Sequence, residues 1–322
     1  MSGCVKANLL AEALAPSLTT PTPLETNPRL SDRLGINLLI KRDDLLLFPW
    51  GGNKVRIVGS ILRMKGEQEI SSMVATGGVS SNLVRVVSLI CAKAGVPCFL
   101  VLHGKEEESS RATVKLLRML GAKISIVPPE GIEAEIERLW RDPEIVGESA
   151  FLFPGGGSSE DGAFGYVLAA EELRCQLEEL GVGTRWIITP SGTGGTQAGL
   201  VVGNAGRSKV VGISVARSME RGKPTVELLV DKLASKLHLG RIPEVDFRDK
   251  WTCGGYEKTD PELYDAIRVA ASFGLFLDPT YTGKAFWGLT EMVRNGEIQK
   301  GDTVVFWHTG GAANLMQRVG EL

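Results

Sequence analysis

The chain has 322 residues, 43% of them hydrophobic and 23% charged, which is enough for one large domain or two smaller ones that each bury a core. Lys and Arg number 36 and Asp and Glu 38, and the formal net charge of -2 gives no electrostatic reason to expect nucleic acid as a partner. The apolar runs are far shorter than the ~20 residues that span a bilayer, and the first residues lack the pattern of a signal peptide. We therefore expect a cytoplasmic globular protein without a membrane partner.

Cysteine and histidine are too scattered to predict a disulfide framework or a metal site. The 5 cysteines never form a Cys-x-x-Cys pair, and none of the 3 histidines has a cysteine or histidine at the spacing of zinc ligands. We therefore predict a protein that binds no metal.

Short apolar runs alternate with segments of helical periodicity along the chain. The runs that we predict to be strands are residues 36–41, 73–76, 98–102, 124–127, 186–189, 210–215 and 303–307. One helix is predicted to begin after Asp260, a good N-cap, with Pro261 as its first residue. Its apolar face would carry Leu263, Ile267 and Ala270. The alternation predicts the α/β class, in which helices flank parallel sheets.

Turns rich in glycine and hydroxyl residues follow the predicted strands or begin helices. In chain order they are Gly51-Gly52-Asn53-Lys54, Gly77-Gly78-Val79-Ser80-Ser81-Asn82, Ser191-Gly192-Thr193-Gly194-Gly195-Thr196, Asp278-Pro279-Thr280-Tyr281-Thr282-Gly283 and His308-Thr309-Gly310-Gly311. Ligands of α/β proteins bind outside the carboxyl ends of the strands, where such turns lie. We therefore expect these turns to build a ligand site.

The turn from Ser191 to Thr196 has the chemistry of a phosphate site. Its glycines let backbone amides converge without a Cβ in the way, and the helix predicted from Gln197 points its positive end at the same place. A dinucleotide fingerprint would require glycine at Gln197, and a nucleoside-triphosphate loop would require Gly-Lys-Ser or Gly-Lys-Thr, so neither fits. A purely structural glycine turn remains the alternative for this segment.

Lys54 is the second indication of a cofactor. Most lysines are solvated surface residues, but this one follows a glycine turn and opens a predicted helix, whose dipole favours the neutral amine. A neutral amine on a constrained turn suits Schiff-base chemistry. Together with a phosphate site, and without a metal or nicotinamide fingerprint, it points to pyridoxal 5'-phosphate as the cofactor.

The motif Lys41-Arg42-Asp43-Asp44 precedes these turns, and the whole set stands in the order and spacing of one known family. From about Thr22 to the last few residues, the chain resembles the D-cysteine desulfhydrase / 1-aminocyclopropane-1-carboxylate deaminase family. The resemblance implies the tryptophan-synthase-β-like fold (fold type II), a homodimer, and a cofactor held between two α/β domains. It implies a large domain of residues 1–52 plus 163–322 that binds pyridoxal phosphate, and a smaller α/β domain of residues 53–162.

The resemblance assigns catalytic roles to several of these residues. Lys54 matches the lysine that binds the cofactor covalently and later moves the α-proton of the substrate. Asn82 matches the residue that bonds the phenolic oxygen of the cofactor. Ser81, together with the backbone amides of Asn82 and Leu83, matches the turn that holds the substrate carboxylate.

The other cofactor and substrate contacts fall in the second half of the chain. The residues that match the family's phosphate loop are Gly192, Thr193, Gly194, Gly195 and Thr196. Tyr281 matches the tyrosine that stacks on the pyridine ring, where offset stacking suits a planar cofactor. Tyr256 matches a second catalytic tyrosine near the substrate, although an ordinary half-buried tyrosine would fit the sequence equally well.

Two threonines favour the desulfhydrase branch of the family. The deaminase branch carries Glu after the stacking tyrosine, where this chain has Thr282, and it typically carries Leu where this chain has Thr309. The resemblance therefore implies that hydroxyl groups face a neutral pyridine nitrogen, which makes a weaker electron sink. Such a sink suits loss of an α-proton and a good β-leaving group better than it suits cyclopropane ring opening.

Departures from the family pattern cluster around the expected substrate. Trp50 and Trp307 add bulk there, and Glu257 replaces the usual glycine after Tyr256. The substrate is therefore less well defined than the cofactor, and a specialised small amino acid fits.

Three functions stay open at this point. The first is a lyase that removes the β-substituent of a small amino acid, with D-cysteine as the leading candidate and L-cysteate or another β-substituted alanine as others; the deaminase reaction on 1-aminocyclopropane-1-carboxylate is the alternative within the same family. The second is a transferase that captures the resulting aminoacrylate with a nucleophile, as cysteine synthases do. The third is a non-catalytic protein that binds pyridoxal phosphate.

Overall fold

A computed structural model describes residues 4–240 and 244–321 of the chain. Contacts between α-carbons divide it into two units. The smaller unit comprises the residues up to Thr19 together with Lys54–Gly162, and the larger unit comprises Thr20–Asn53 and the residues from Ala163 onward.

The strands and helices alternate along both units. The strands are β1 (Val5–Lys6), β2 (Leu24–Thr26), β3 (Asn37–Arg42), β4 (Glu69–Ile70), β5 (Ser72–Gly78), β6 (Cys98–His103), β7 (Lys123–Val127), β8 (Ala150–Leu152), β9 (Trp186–Ser191), β10 (Lys209–Ser214), β11 (Asp246–Arg248) and β12 (Thr303–His308). The α-helices are α1 (Ala7–Glu12), α2 (Ala15–Thr19), α3 (Pro28–Leu34), α4 (Asn53–Lys65), α5 (Asn82–Ala94), α6 (Ala112–Met119), α7 (Ile132–Trp140), α8 (Pro143–Val146), α9 (Glu160–Glu179), α10 (Gly195–Asn204), α11 (Met219–Lys236), α12 (Pro261–Ser272), α13 (Thr282–Arg294) and α14 (Ala312–Arg318).

The smaller unit is built on a parallel sheet in the order β7-β6-β5-β8. Strand β6 is apolar and buried from Cys98 to Leu102, and β5 is buried from Ser72 to Ala75, as expected for strands that are covered on both faces. Val74, Phe99 and Val101 on these strands pack with Leu139 of α7 and form the core on one side. The carboxyl end of β5 leads directly into the turn that carries Ser81.

The larger unit is built on a six-stranded sheet in the order β11-β10-β9-β12-β3-β2. All neighbouring strands are parallel except the edge strand β2, which runs antiparallel to β3. One side of this sheet packs against α12 and α13 through Ile188, Phe306, Ile267, Phe286 and Leu289, all of which are buried. Because the central strands are parallel, their carboxyl ends meet at one edge, and the glycine-rich turns follow from that edge.

The structure confirms the predicted α/β class and the predicted strands, each to within 2 residues at either end. The short strands β1, β2, β4, β8 and β11 were not predicted, because 2 or 3 residues carry too little periodicity to be distinguished from a loop. Helix α12 begins as predicted: the Asp260 carboxylate accepts a hydrogen bond from the backbone N–H of Leu263 at 3.0 Å, and Pro261 is the first helical residue.

The N-terminal segment differs from the predicted division of the chain. The sequence prediction placed residues 1–52 in the larger domain, whereas the residues up to Thr19 group with the smaller unit. The reason is that β1 pairs antiparallel with β4, Val5 opposite Ile70. The assignment of cofactor binding to the larger domain stays a prediction. None of the helices in the described part of the chain combines the length and apolar character that crossing a membrane requires.

Candidate active site

Lys54 lies in the smaller unit, where it is the second residue of α4 and half-buried. Its Nζ donates a hydrogen bond to the carbonyl oxygen of Gly156 at 2.7 Å, in the short 3₁₀ turn Gly155–Gly157. Burial lowers the pKa of Lys54 from 10.5 to about 8. A much larger fraction of this amine is therefore neutral near pH 8 than in an exposed lysine, and neutrality is what a nucleophilic amine requires.

The turn with Ser81 lies beside the same glycine turn. Ser81 is the N-cap of α5, and Asn82 and Leu83 form its first turn. The backbone amides of the first turn have no carbonyl partner within the helix, so they are arranged to bind an anion such as a carboxylate. A Cβ placed on Gly157 would lie 3.6 Å from Leu83 Cδ1, so the turn that accepts the bond from Lys54 also packs against α5. Lys54 and Leu83 thus lie against the same glycine turn, and Ser81 and Asn82 directly precede Leu83 in the chain.

The larger unit collects its predicted residues at the carboxyl edge of its sheet. Strand β12 lies between β9 and β3, with Phe306 opposite Ile188 and His308 opposite Arg42. The glycine loop that begins at Ser191 follows β9, and the turn after His308 follows β12. Two glycine-rich turns that are more than a hundred residues apart in sequence therefore leave the sheet side by side.

The glycine loop has the geometry of an anion site. Gly194 is the N-cap of α10 with a φ of +95°, a left-handed conformation that favours glycine, and a Cβ there would lie 2.9 Å from Val226 Cγ2. The ten-residue helix α10 begins within this loop, and the backbone amides of its first turn have no carbonyl partner within the helix. The Ser191 hydroxyl is buried and has no hydrogen-bond partner within residues 4–240 and 244–321.

Asn53 connects the glycine loop with the turn after β12. Its side chain donates a hydrogen bond to Thr196 Oγ1 at 3.0 Å, and its backbone N–H donates to the carbonyl oxygen of Thr309 at 2.9 Å. Sequence reasoning assigned no role to Asn53, which directly precedes Lys54. A turn asparagine gives no sequence signal for contacts with residues more than a hundred positions away.

Asp278 organises the turn that carries Tyr281. Its buried carboxylate accepts hydrogen bonds from the backbone N–H groups of Thr280, Tyr281 and Thr282, each at 2.9 Å. Burial raises the pKa of Asp278, and these donors oppose the rise. A Cβ on Gly311, whose φ is +111°, would overlap the Asp278 carboxylate, so glycine allows the turn after β12 to pack here. Sequence reasoning placed Asp278 in this turn, where Asp before Pro is a turn signal, but assigned it no role.

Thr282, whose hydroxyl was predicted to face a pyridine nitrogen, has hydrogen-bond partners within its own turn. Thr282 Oγ1 donates its hydrogen to Asp278 Oδ1 at 2.8 Å and accepts the backbone N–H of Asp278 at 2.9 Å. A hydroxyl has one hydrogen to donate, and here the Asp278 carboxylate takes it. The Thr309 side chain makes no hydrogen bond within the described residues, so it is the threonine with a donor to offer.

Tyr256 and Tyr281 form a pair. Their hydroxyl oxygens are 2.8 Å apart, and their rings meet edge to face with centroids 6.0 Å apart. Burial raises the pKa of Tyr256 to about 12 and that of Tyr281 well above its usual value, so both hydroxyls keep their protons at neutral pH. Tyr281 also borders the glycine loop, because a Cβ on Gly192 would lie 3.7 Å from Tyr281 Cε1.

Trp307 does not add bulk at the candidate site. Its side chain is fully buried, and its indole Nε1 donates to Asp43 Oδ2 at 2.8 Å. The indole and the ring of Tyr166 are in edge contact, with centroids 5.8 Å apart. Trp307 is therefore a packing residue of the larger unit. In the described part of the chain, no group of three or more His, Cys, Asp or Glu side chains is placed to hold a metal ion.

Comparison with known proteins connects this geometry to one family. A family model described as "Pyridoxal-phosphate dependent enzyme" matches residues 16–310. A D-cysteine desulfhydrase of Salmonella newport is 33% identical over 305 residues, which cover 92% of this chain and 93% of that protein. A crystal structure of an ACC deaminase homologue superposes with a TM-score of 0.83 at 31% identity and covers 98% of each chain. A fungal L-serine ammonia-lyase from Rhizomucor miehei has the same fold, with a TM-score of 0.68, 19% identity, and coverage of 94% of this chain and 97% of its own.

These matches confirm the resemblance, the fold type and the cofactor that the motifs predicted. The larger unit also fits the cofactor in structural terms. A phosphate oxygen would satisfy the buried, unpartnered hydroxyl of Ser191, and the amides of the first turn of α10 suit an anion. An aromatic face is present as well, since Tyr281 borders the same loop at Gly192.

Proposed function

The chain belongs to the family of pyridoxal-phosphate dependent enzymes, and on that basis we propose that it catalyses α,β-elimination on D-cysteine or a closely similar small amino acid. The products would be pyruvate, ammonia and sulfide. In the reaction, the Cα–H and Cβ–S bonds of the substrate break, sulfide leaves, and water hydrolyses the remaining enamine. Bound pyridoxal phosphate supplies the electron sink that makes the α-hydrogen acidic.

The observation that carries this proposal is the state of Lys54. Its pKa of about 8 gives a neutral fraction near physiological pH that is far larger than that of an exposed lysine, and its position is fixed at the start of a helix. Such an amine can bind the cofactor covalently and, once displaced by substrate, accept the proton from Cα. The hydrogen bond to the Gly156 carbonyl fixes the direction of the side chain.

The remaining roles follow the predicted assignments. Ser81 and the amides of Asn82 and Leu83 would hold the substrate carboxylate, and the Asn82 side chain would bond the phenolic oxygen of the cofactor. The residues that would hold its phosphate are Gly192, Thr193, Gly194, Gly195 and Thr196. Tyr281 would stack on the pyridine ring, with Tyr256 near the substrate. Of the two threonines, Thr309 is the one that we propose for the pyridine nitrogen, because the hydroxyl hydrogen of Thr282 goes to Asp278.

A hydroxyl partner leaves the pyridine nitrogen neutral, which supports elimination over ring opening. A neutral nitrogen withdraws electrons weakly, so a negative charge at Cα is tolerable only when a β-substituent departs promptly. Sulfide is such a leaving group. Opening of a cyclopropane ring has no comparable leaving group, and we therefore place 1-aminocyclopropane-1-carboxylate behind D-cysteine.

We also propose that the enzyme is a cytoplasmic homodimer, as the family resemblance implies. Exposed apolar side chains in the larger unit support a second copy as the partner: Phe276 is 69% exposed and Met316 71%. Light scattering of the purified protein would give the mass of a dimer if this is correct and that of a single chain if it is wrong.

The test of the reaction is a substrate screen on the purified enzyme loaded with pyridoxal phosphate. D-cysteine, L-cysteine, L-cysteate and 1-aminocyclopropane-1-carboxylate would be compared by release of pyruvate, 2-oxobutanoate, ammonia, sulfide and sulfite. We expect D-cysteine to give pyruvate, ammonia and sulfide in equal amounts. Lys54→Ala should abolish turnover and the adduct that borohydride fixes to the wild type, whereas Lys300→Ala, at an exposed lysine, should change neither.

Other outcomes would contradict the proposal in distinct ways. Efficient formation of 2-oxobutanoate from 1-aminocyclopropane-1-carboxylate would assign the chain to the deaminase reaction. Sulfite from L-cysteate without turnover of D-cysteine would make it a sulfo-lyase. Turnover only in the presence of an added thiol or amine would make it a β-replacement enzyme.

A further inference from the structure

Lys284 is buried beside the candidate site. It lies on α13, three residues after Tyr281, and its side chain is fully buried. Its Nζ donates hydrogen bonds to the carbonyl oxygens of Val215 at 2.9 Å, Thr252 at 2.8 Å and Gly255 at 2.8 Å. An ammonium group has three hydrogens, so these carbonyls satisfy it completely.

The carbonyls belong to two segments that border the site. Thr252 and Gly255 lie in the loop of residues 252–258, here called the Tyr256 loop. Val215 follows β10 and packs against the glycine loop, because a Cβ on Gly192 would lie 3.6 Å from Val215 Cγ2. The Lys284 ammonium group therefore connects the first turn of α13 both to the Tyr256 loop and to Val215, which packs against the glycine loop.

The Tyr256 loop cannot hold its conformation by local preference alone. Cys253 and Glu257 both have positive φ, +55° and +58°, a region that costs a residue with a side chain roughly 1–2 kcal/mol. Backbone strain of this kind persists only when the surroundings enforce it. The enforcing contacts are Lys284 at Thr252 and Gly255, and Arg318, whose Nη1 donates to the carbonyl oxygen of Glu257 at 2.9 Å.

We propose that Lys284 is a positioning residue for the reaction, which holds the Tyr256 loop so that the Tyr256 hydroxyl meets that of Tyr281. Tyr281 and Lys284 lie about one helical turn apart at the start of α13, and each contacts the Tyr256 loop. The Tyr281 hydroxyl meets the Tyr256 hydroxyl, and the Lys284 ammonium donates to the carbonyl oxygens of Thr252 and Gly255. Lys284 itself touches neither of the paired hydroxyls. Its effect on turnover passes through Tyr256, and in that respect the inference rests on the proposed function.

The first test measures the loop directly. Lys284→Met keeps most of the length of the side chain and removes the three donors. We expect backbone amides of residues 252–258 to exchange with deuterium at least ~10-fold faster, a change of about 1.4 kcal/mol in local stability, while those of β9 keep their protection. Lys300→Met, which removes an exposed lysine, should leave the loop unchanged. Unchanged exchange in a folded Lys284→Met protein would overturn the proposal.

The second test separates positioning from general stability. On the best substrate found, we expect Lys284→Met to lower kcat/KM at least ~10-fold in the wild-type background but by less than 2-fold in a Tyr256→Phe background, because the residue acts through Tyr256. Equal losses in both backgrounds would show that Lys284 only supports the fold. If the wild type turns over none of the amino acids, the proposed function fails, but the exchange experiment still decides the role of Lys284.

If Lys284→Met does not fold, the pH dependence of amide exchange in the wild-type protein tests the same proposal. The pKa of Lys284 is lowered to about 8, mainly by burial and further by Arg318, while Cys253, Asp260 and Asp278 oppose the shift. Above about pH 8 the neutral amine has two donors for three carbonyls. Protection of the Tyr256 loop, corrected for the intrinsic exchange rate, should therefore fall as the pH rises through about 8, whereas that of β9 should not. Constant protection would count against the proposal.

Discussion

The indole Nε1 of Trp307 donates a hydrogen bond to Oδ2 of Asp43 at 2.8 Å, and both side chains are fully buried. The same carboxylate accepts hydrogen bonds from the Tyr166 hydroxyl at 2.6 Å and the Thr22 hydroxyl at 2.9 Å. The backbone carbonyl of Asp43 accepts the N–H of Gly52 at 2.8 Å. Through one aspartate, the tryptophan thus supports Gly52 in the glycine turn that directly precedes Asn53.

Trp307→Phe should therefore weaken both the fold and cofactor binding. It removes a donor to a buried carboxyl group, which we expect to cost about 1–3 kcal/mol of unfolding free energy, and it loosens the anchor of Gly52. Trp186→Phe is the matched control: it removes a bond to Asp302 Oδ2 at the amino end of β9, away from the turns. Denaturation and cofactor titration should show lower stability in both variants but weaker cofactor binding only in Trp307→Phe. Equal cofactor affinity in the two variants would contradict this role.

Gly194→Val should disrupt the phosphate site. A side chain at Gly194 would meet Val226 at 2.9 Å and would force an unfavourable positive φ of +95°. Gly206 also has a positive φ, +77°, but a Cβ there would meet nothing within 4 Å, so Gly206→Val controls for backbone strain alone. Titration of the apo-proteins with pyridoxal phosphate should show at least ~10-fold weaker binding, about 1.4 kcal/mol, for the Gly194 variant alone. The loop assignment is wrong if both variants retain wild-type affinity.

The rate of covalent cofactor uptake should follow the pKa of Lys54. Because burial lowers this pKa to about 8, the neutral fraction of the amine rises about 10-fold per pH unit below that value and levels off above it. An exposed lysine would continue to gain neutral amine up to 10.5. Stopped-flow absorbance after mixing apo-protein with pyridoxal phosphate gives the profile, and Nα-acetyl-lysine under the same conditions corrects for titration of the cofactor. A rate that keeps rising beyond about pH 9 would show that the pKa is not lowered.

Glu257→Gly should stabilise the protein. Glycine removes the strain of the φ of +58°, and the net gain after its greater entropy loss is about 0.5–1 kcal/mol. The Glu257 carbonyl that accepts from Arg318 remains in place. Lys258→Gly, at a neighbouring residue outside the positive-φ region, should instead destabilise. The measurement is the midpoint of thermal unfolding of each variant compared with that of the wild type. A lower midpoint for Glu257→Gly than for the wild type would mean that the contacts of the Glu257 side chain outweigh the backbone strain.

The sequence by itself determined the class of fold, the cofactor and the family. Parallel strands that are buried on both faces require apolar runs in the sequence, such as residues 98–102 and 210–215. Such runs can be recognised from neighbouring residues alone. The glycine loop from Ser191 to Thr196 is equally local, because converging amides require glycine at fixed spacing. Capping of α12 by Asp260 was also predictable, since donor and acceptor lie three residues apart.

The tertiary structure alone decided which polar groups satisfy one another over long distances in the chain. The Trp307 indole meets Asp43 across 264 positions, so the sequence suggested bulk near the substrate where the structure has a buried hydrogen bond. The contacts of Thr282 with Asp278 are local, but one hydroxyl hydrogen has several possible acceptors, and only the folded turn selects one. Lys284 shows the limit most clearly: a lysine resembles a surface residue in sequence until the fold closes three carbonyl groups around its ammonium.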